Sequence, residues 1–127
     1  MSEELGQLSY RLVRCKGWRW LPGMMRLRVT PPQMRDYLRR EGRVPEQFDN
    51  WAYDDWPVIP DLDDPATLGC LLALVREVWG MPTGITVSYS SDDGLWGVSW
   101  SGATHGGWCG RGKTEAEALF VALEAAP

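Results

Sequence analysis

Apolar residues recur along this chain with two different periods, and the switches between them mark out the elements. From Glu3 to Lys16, Leu5, Leu8, Leu12 and Cys15 fall three and four apart. That spacing lines one face of a helix, which Ser2 can cap and Gly17 can stop. Trp18-Arg19-Trp20-Leu21 then alternates, Pro22-Gly23 supplies a turn, and Met25-Arg26-Leu27-Arg28-Val29 alternates again. The pattern predicts a short hairpin whose polar face carries Arg26 and Arg28. Thr30-Pro31-Pro32-Gln33 has the form of a helix start, with Thr as cap, Pro in the first turn and Gln completing a capping box. A helix is therefore expected to run to about Glu41 and stop at Gly42, with Met34, Tyr37 and Leu38 as a narrow apolar stripe.

Residues 43–60 show no period and are punctuated by Pro45, Pro57 and Pro60, which predicts a long loop. Asp64-Pro65 opens the clearest helix: Asp as cap, Pro at the first position, then Leu68, Leu71, Leu72, Val75, Val78 and Trp79 on a broad apolar face, closed by Gly80 and Pro82. Period two returns in Ile85, Val87 and Tyr89, then in Trp96, Val98 and Trp100, with Asp93-Gly94 between them as a hairpin turn. The Gly-rich stretch from Gly106 to Gly112 is a candidate third strand. Thr114-Glu115-Ala116-Glu117 is a second capping box, and Ala118, Leu119, Ala122, Leu123 and Ala126 mark a last helix. The expected architecture is a single α+β domain over residues 1–127. An antiparallel β-meander packs between N-terminal, central and C-terminal helices as a layered α/β/α sandwich.

Composition narrows the class without naming a reaction. The 127 residues are 44% hydrophobic and 24% charged, which is globular and argues against disorder. Three Cys argue against a secreted disulfide framework and for a reducing cytoplasm. No apolar run is long enough to span a bilayer, and Met1-Ser2-Glu3-Glu4 is acidic where a signal peptide would be basic. Charge is unevenly spread. Residues 1–45 hold ten bases and four acids, whereas residues 46–127 hold three bases and thirteen acids. Such a split fits either an interaction surface or two stretches that neutralise each other on folding.

Few residue patterns carry chemistry. Gly107 to Thr114 matches the phosphate-loop string letter for letter. That enzyme fold needs parallel strands joined by crossovers, however, and only thirteen residues follow Thr114. What survives is a small-ligand or nucleotide-binding alternative, with Arg111, Lys113 and Thr114 at a helix start that attracts anions. His105 is the only His, and Cys15, Cys70 and Cys109 lack metal-ligand spacing, so no metal or cofactor is expected. Pairing Cys109 with His105 as a nucleophile rests on nothing but proximity in sequence, so no catalytic residues and no enzyme activity are expected. Asp61, Asp63 and Asp64 start like a calcium loop but fail its register, and helix capping explains them better. Trp18-Arg19-Trp20 could stack bases, but the net charge of −4 argues against nucleic acid. In the irregular stretch, Trp51, Tyr53, Asp54, Asp55 and Trp56 combine rings and carboxylates as a protein-docking surface does.

Three strings, GWRWLPGM at 17–24, PDLDDPATLGCLLALVREVWG at 60–80 and KTEAEALFVALEAAP at 113–127, resemble a group of small phage and prophage accessory proteins. Some of that group are described as phage ABA-sandwich-like domains, and the likeness covers about a third of the chain. The resemblance implies a phage origin and an α/β/α layered shape, and it supplies no catalytic residues. The resulting expectation is a non-enzymatic protein in the host-cell cytoplasm. It would inhibit or redirect a host protein, such as a defence component of the kind anti-CRISPR proteins target, with no membrane partner. A symmetric homodimer is the default assembly of soluble proteins.

Overall fold

A computed structural model of the protein describes residues 2–29, 38–47, 58–101 and 106–127. The described elements run, in chain order, α1 (Glu3–Leu12), β1 (Met25–Val29), β2 (Leu38–Arg43), β3 (Val58–Pro60), α2 (Pro65–Val78), β4 (Ile85–Ser90), β5 (Leu95–Ser101), β6 (Gly106–Gly112) and α3 (Glu115–Glu124). The strands form two antiparallel three-stranded sheets, ordered β2-β1-β3 and β4-β5-β6, so the fold is α+β. The chain makes two compact units: Met1–Arg14 with Arg19–Cys70, and Cys15–Trp18 with Leu71–Pro127.

The first unit is built around β1. Ser2 caps α1, its side chain accepting from the Leu5 amide, and Leu8 and Leu12 are buried on the predicted face. Ser9 Oγ donates to Pro60 O at 3.0 Å, tying α1 to β3. The predicted hairpin is corrected. Met25–Val29 is a strand, but its partners are β2 and β3, and Trp18–Leu21 is not in a strand. The helix expected to reach Glu41 is also corrected over its final residues, because Leu38–Arg43 is strand β2. Here β1 offers a ladder of backbone partners, and side chains reinforce it. Arg28 Nε pairs with Glu41 Oε1 at 2.6 Å, and Arg26 Nε donates to Gly42 O at 2.9 Å. Gly42, read from sequence as a helix stop, instead takes φ +104° where the β1–β2 register slips by one residue. A left-handed glycine at such a point is a bulge. The long loop is interrupted too, since Val58, Ile59 and Pro60 form a fully buried strand. The capping box at 30–33 and residues 48–57 of the loop lie outside the described residues.

The start of α2 is as expected. Asp64 Oδ2 accepts from the Thr67 amide at 2.9 Å, a side-chain cap one turn ahead of the buried run. Gly69 sits inside this helix with nothing within 4 Å of where a Cβ would be. Gly69→Ala should therefore raise unfolding stability by about 0.5–1 kcal/mol, through reduced unfolded-state entropy alone. A urea titration checks it.

The second unit reproduces the sequence pattern closely. Ile85 pairs with Trp100, Val87 with Val98 and Tyr89 with Trp96, the same apolar positions that alternate in sequence. Gly94 takes φ +71° in the turn between them. The Gly-rich stretch is the third strand, β6. Its glycines let α3 lie directly on the sheet: a Cβ on Gly110 would stand 2.6 Å from Ala118 O. Ile85, Val98, Ala118, Leu119, Ala122 and Leu123 fill the core beneath. Trp79 Nε1 donates to Ala122 O at 2.8 Å, joining the end of α2 to α3. Among the described residues, no helix is long and apolar enough to cross a membrane.

Candidate functional site

Directly opposed residues of an antiparallel pair share a face. Gly110 and Gly112 meet α3, so Val98, Trp96 and their partners face the helix. The opposite face carries Thr86, Ser88, Gly97, Ser99, Trp108 and Arg111. It is a hydroxyl-rich surface with one large ring. Trp108 is 56% exposed, yet it is held in place. Its indole lies against Gly97, where a Cβ would collide with the ring carbons. The Arg111 guanidinium stands over the same indole, 5.1 Å from the ring centroid, within cation–π range. Arg111 is oriented in turn by an ion pair with Asp93 in the β4–β5 turn. The Leu95 amide donates to Asp93 Oδ1 at 3.1 Å. That backbone bond, with Arg111 nearby, holds the Asp93 carboxyl below its usual range. Thr86 Oγ1 and Ser99 Oγ lie 3.4 Å apart on the same face.

Alternation alone would put Trp108 and Arg111 on opposite faces. A bulge brings them together. Val98 pairs with Gly110 and Ser99 pairs with Trp108, so Cys109 is an extra residue in β6. Sequence reasoning missed this group because a bulge leaves no mark in the pattern. The one available signal was a bulky ring set between glycines in a strand.

The residues selected from sequence fare differently. Trp51, Tyr53, Asp54, Asp55 and Trp56 lie outside the described residues, as does His105. Of Arg111, Lys113 and Thr114, the first lies in β6 and the last is the N-cap of α3. Arg111 is engaged by Asp93 and Trp108, and Thr114 Oγ1 accepts from the Glu117 amide as the cap of α3. Glu115 and Glu117 occupy the first turn and already complement the helix dipole. The segment Gly107–Gly112 that reads as a phosphate loop is strand rather than loop. Cys109 is buried, and burial pushes its thiol up, away from the thiolate a nucleophile needs.

Arg40 and Arg43, two basic residues of the amino-terminal stretch, serve the fold. Arg43 forms a two-pronged pair with Asp64, at 2.7 and 2.8 Å, and Arg40 reaches Asp61 at 3.2 Å. Counted by compact unit, the charge split disappears. The first unit has nine bases and eleven acids, and the second has four and six, a balance of −2 in each.

Comparison with known proteins found no matching family model, no similar curated protein and no similar solved structure.

Proposed function

We propose that this protein acts by binding another protein, a component of a host cell, without chemistry of its own. The observation that carries the reading is Trp108, a large ring exposed to solvent yet immobilised between Gly97 and Arg111. Trp and Arg dominate the energetic centres of protein interfaces. A ring already fixed in place loses little further entropy when a partner covers it. The serine and threonine hydroxyls around it provide polar contacts at the rim. The shifted ionisable groups have structural causes. Asp64 is held by Arg43, Asp93 by the Leu95 amide, and Tyr10, Cys70 and Cys109 are shifted upward by burial. The resemblance of residues 60–80 and 113–127 to phage accessory proteins supports a host-directed role.

The test uses the tagged protein as bait in host lysate, followed by calorimetry with the purified captured protein. Trp108→Ala should weaken that complex by about 2 kcal/mol or more, roughly thirtyfold in Kd, with the thermal midpoint nearly unchanged. A parallel bait carrying Trp51→Ala and Trp56→Ala reports whether the aromatic stretch at 51–56 also contributes. Absence of any specific captured protein, or equal affinity for the Trp108→Ala bait, counts against the proposal.

A further inference from the structure

We propose that β4 pairs edge-to-edge with β4 of a second copy of this chain, joining two β4-β5-β6 sheets across a twofold axis at Ser88. Among the described residues, β2, β3, β4 and β6 are the sheet edges. Three of them carry the devices that discourage pairing. Strand β2 reads Leu-Arg-Arg-Glu-Gly-Arg, β3 is only three residues long and ends in Pro60, and β6 holds four Gly and Arg111. Strand β4, Ile-Thr-Val-Ser-Tyr-Ser, has no charge, no Pro and no Gly.

The direction of its free backbone groups follows from the ladder. The Ser101 amide donates to Gly84 O at 3.0 Å, so residues 84, 86, 88 and 90 bond towards β5. The N–H and C=O groups of Ile85, Val87 and Tyr89 therefore point away from β5, to the side where no described strand pairs with β4. Arg76 closes the start of that edge, donating from Nε and Nη2 to Ile85 O at 3.3 and 2.9 Å. The turn closes its end after Ser90. The remaining window is Val87 to Tyr89.

That window is self-complementary. In an antiparallel pair centred on Ser88, Val87 opposes Tyr89 of the second copy and Tyr89 opposes its Val87. Each such pair exchanges two backbone hydrogen bonds. On the helix-facing side, each Tyr89 ring is laid across a Val87. Tyr89 is 56% exposed in the single chain, beside Trp96 at a centroid distance of 5.5 Å, and the pairing would cover it. On the other side, only the small Ser88 side chains meet at the axis. The second copy is favoured over a foreign strand because the ring and the half-buried valine that must meet are both present on this one segment.

Sedimentation equilibrium across the micromolar range tests the pairing. The unaltered protein should be a dimer. Ser88→Lys and Ser88→Asp each place like charges opposite one another at the axis, and each should weaken the dimer by about tenfold or more. Mixing the two variants in equal amounts should restore a dimer, because the facing charges are then opposite. Circular dichroism of each variant confirms that Ser88, already exposed, tolerates the change. A monomer for the unaltered protein, undiminished dimer in either variant alone, or a mixture that stays monomeric would each overturn the proposal.

Discussion

Gly110→Ala is expected to destabilise the second unit by about 3 kcal/mol, near the upper end of overpacking costs. The added methyl would meet Ala122 N at 2.5 Å and Ala118 O at 2.6 Å. Both atoms belong to the backbone of α3, and neither can give way by a side-chain rotation. The helix would have to lift from the sheet. That would disturb the packing of Ala118, Leu119, Ala122 and Leu123, all of which are buried. The loss should appear as a lower denaturation midpoint in urea with a nearly unchanged slope. Gly69→Ala provides the contrast, since the same chemical change in open space should stabilise. Equal effects at the two positions would show that α3 does not rest on Gly110 as described.

Asp64→Ala should cost about 3 kcal/mol, combining a lost helix cap with lost charge-assisted bonds to Arg43. Asp64 is 6% exposed. It accepts two bonds from Arg43 and two from Thr67, and Thr67 Oγ1 in turn accepts from the Met25 amide at 2.9 Å. The carboxylate thus locks the start of α2 to β1 and β2. The Arg43 guanidinium, with Thr67 adding, holds the Asp64 carboxyl well below the usual carboxylate range. Because the folded value lies below the unfolded one, the bound form is the charged one. Its stabilisation is complete above the unfolded value, near 3.8, and is lost as pH falls through the folded value. Unfolding free energy measured from about pH 5 downward should fall less steeply in Asp64→Asn than in the unaltered protein. Asn keeps an oxygen to cap Thr67 but replaces the one that accepts from Arg43 Nη2 with a donor, so its loss at neutral pH, though real, should be smaller than that of Asp64→Ala. Identical acid profiles for the two proteins would assign the acid sensitivity elsewhere.

The parts of the fold legible in sequence are those governed by neighbours close along the chain. Caps at Ser2, Asp64 and Thr114 are contacts across three residues, and all three are present. The β4–β5 hairpin follows from alternation and an Asp-Gly turn, and the ladder sets the alternating apolar positions opposite one another. Where the reading failed, distant partners had won. Leu38–Arg43 holds the last residue of the expected apolar stripe, a plausible stop at Gly42, and helix-favouring Arg and Glu. It is nonetheless a strand, because β1 lies beside it and Glu41 meets Arg28. Propensity differences of a few tenths of a kcal/mol per residue yield to a ladder of hydrogen bonds.

The candidate site shows the same division. That β6 would carry a Trp, an Arg and many glycines is plain from its letters. Which face each takes depends on the extra residue Cys109, which shifts the register by one and sets Trp108 and Arg111 side by side over Gly97. Likewise, amino-acid order alone gives a basic stretch followed by an acidic one, whereas the folded chain draws Asp61 and Asp64 onto Arg40 and Arg43 and levels the balance. Sequence by itself determined the secondary-structure periods, the caps and the turns, since those energies arise between residues a few positions apart. Tertiary structure alone decided the pairing of β1, the bulge and the exposure of Trp108, since each depends on which strand lies alongside.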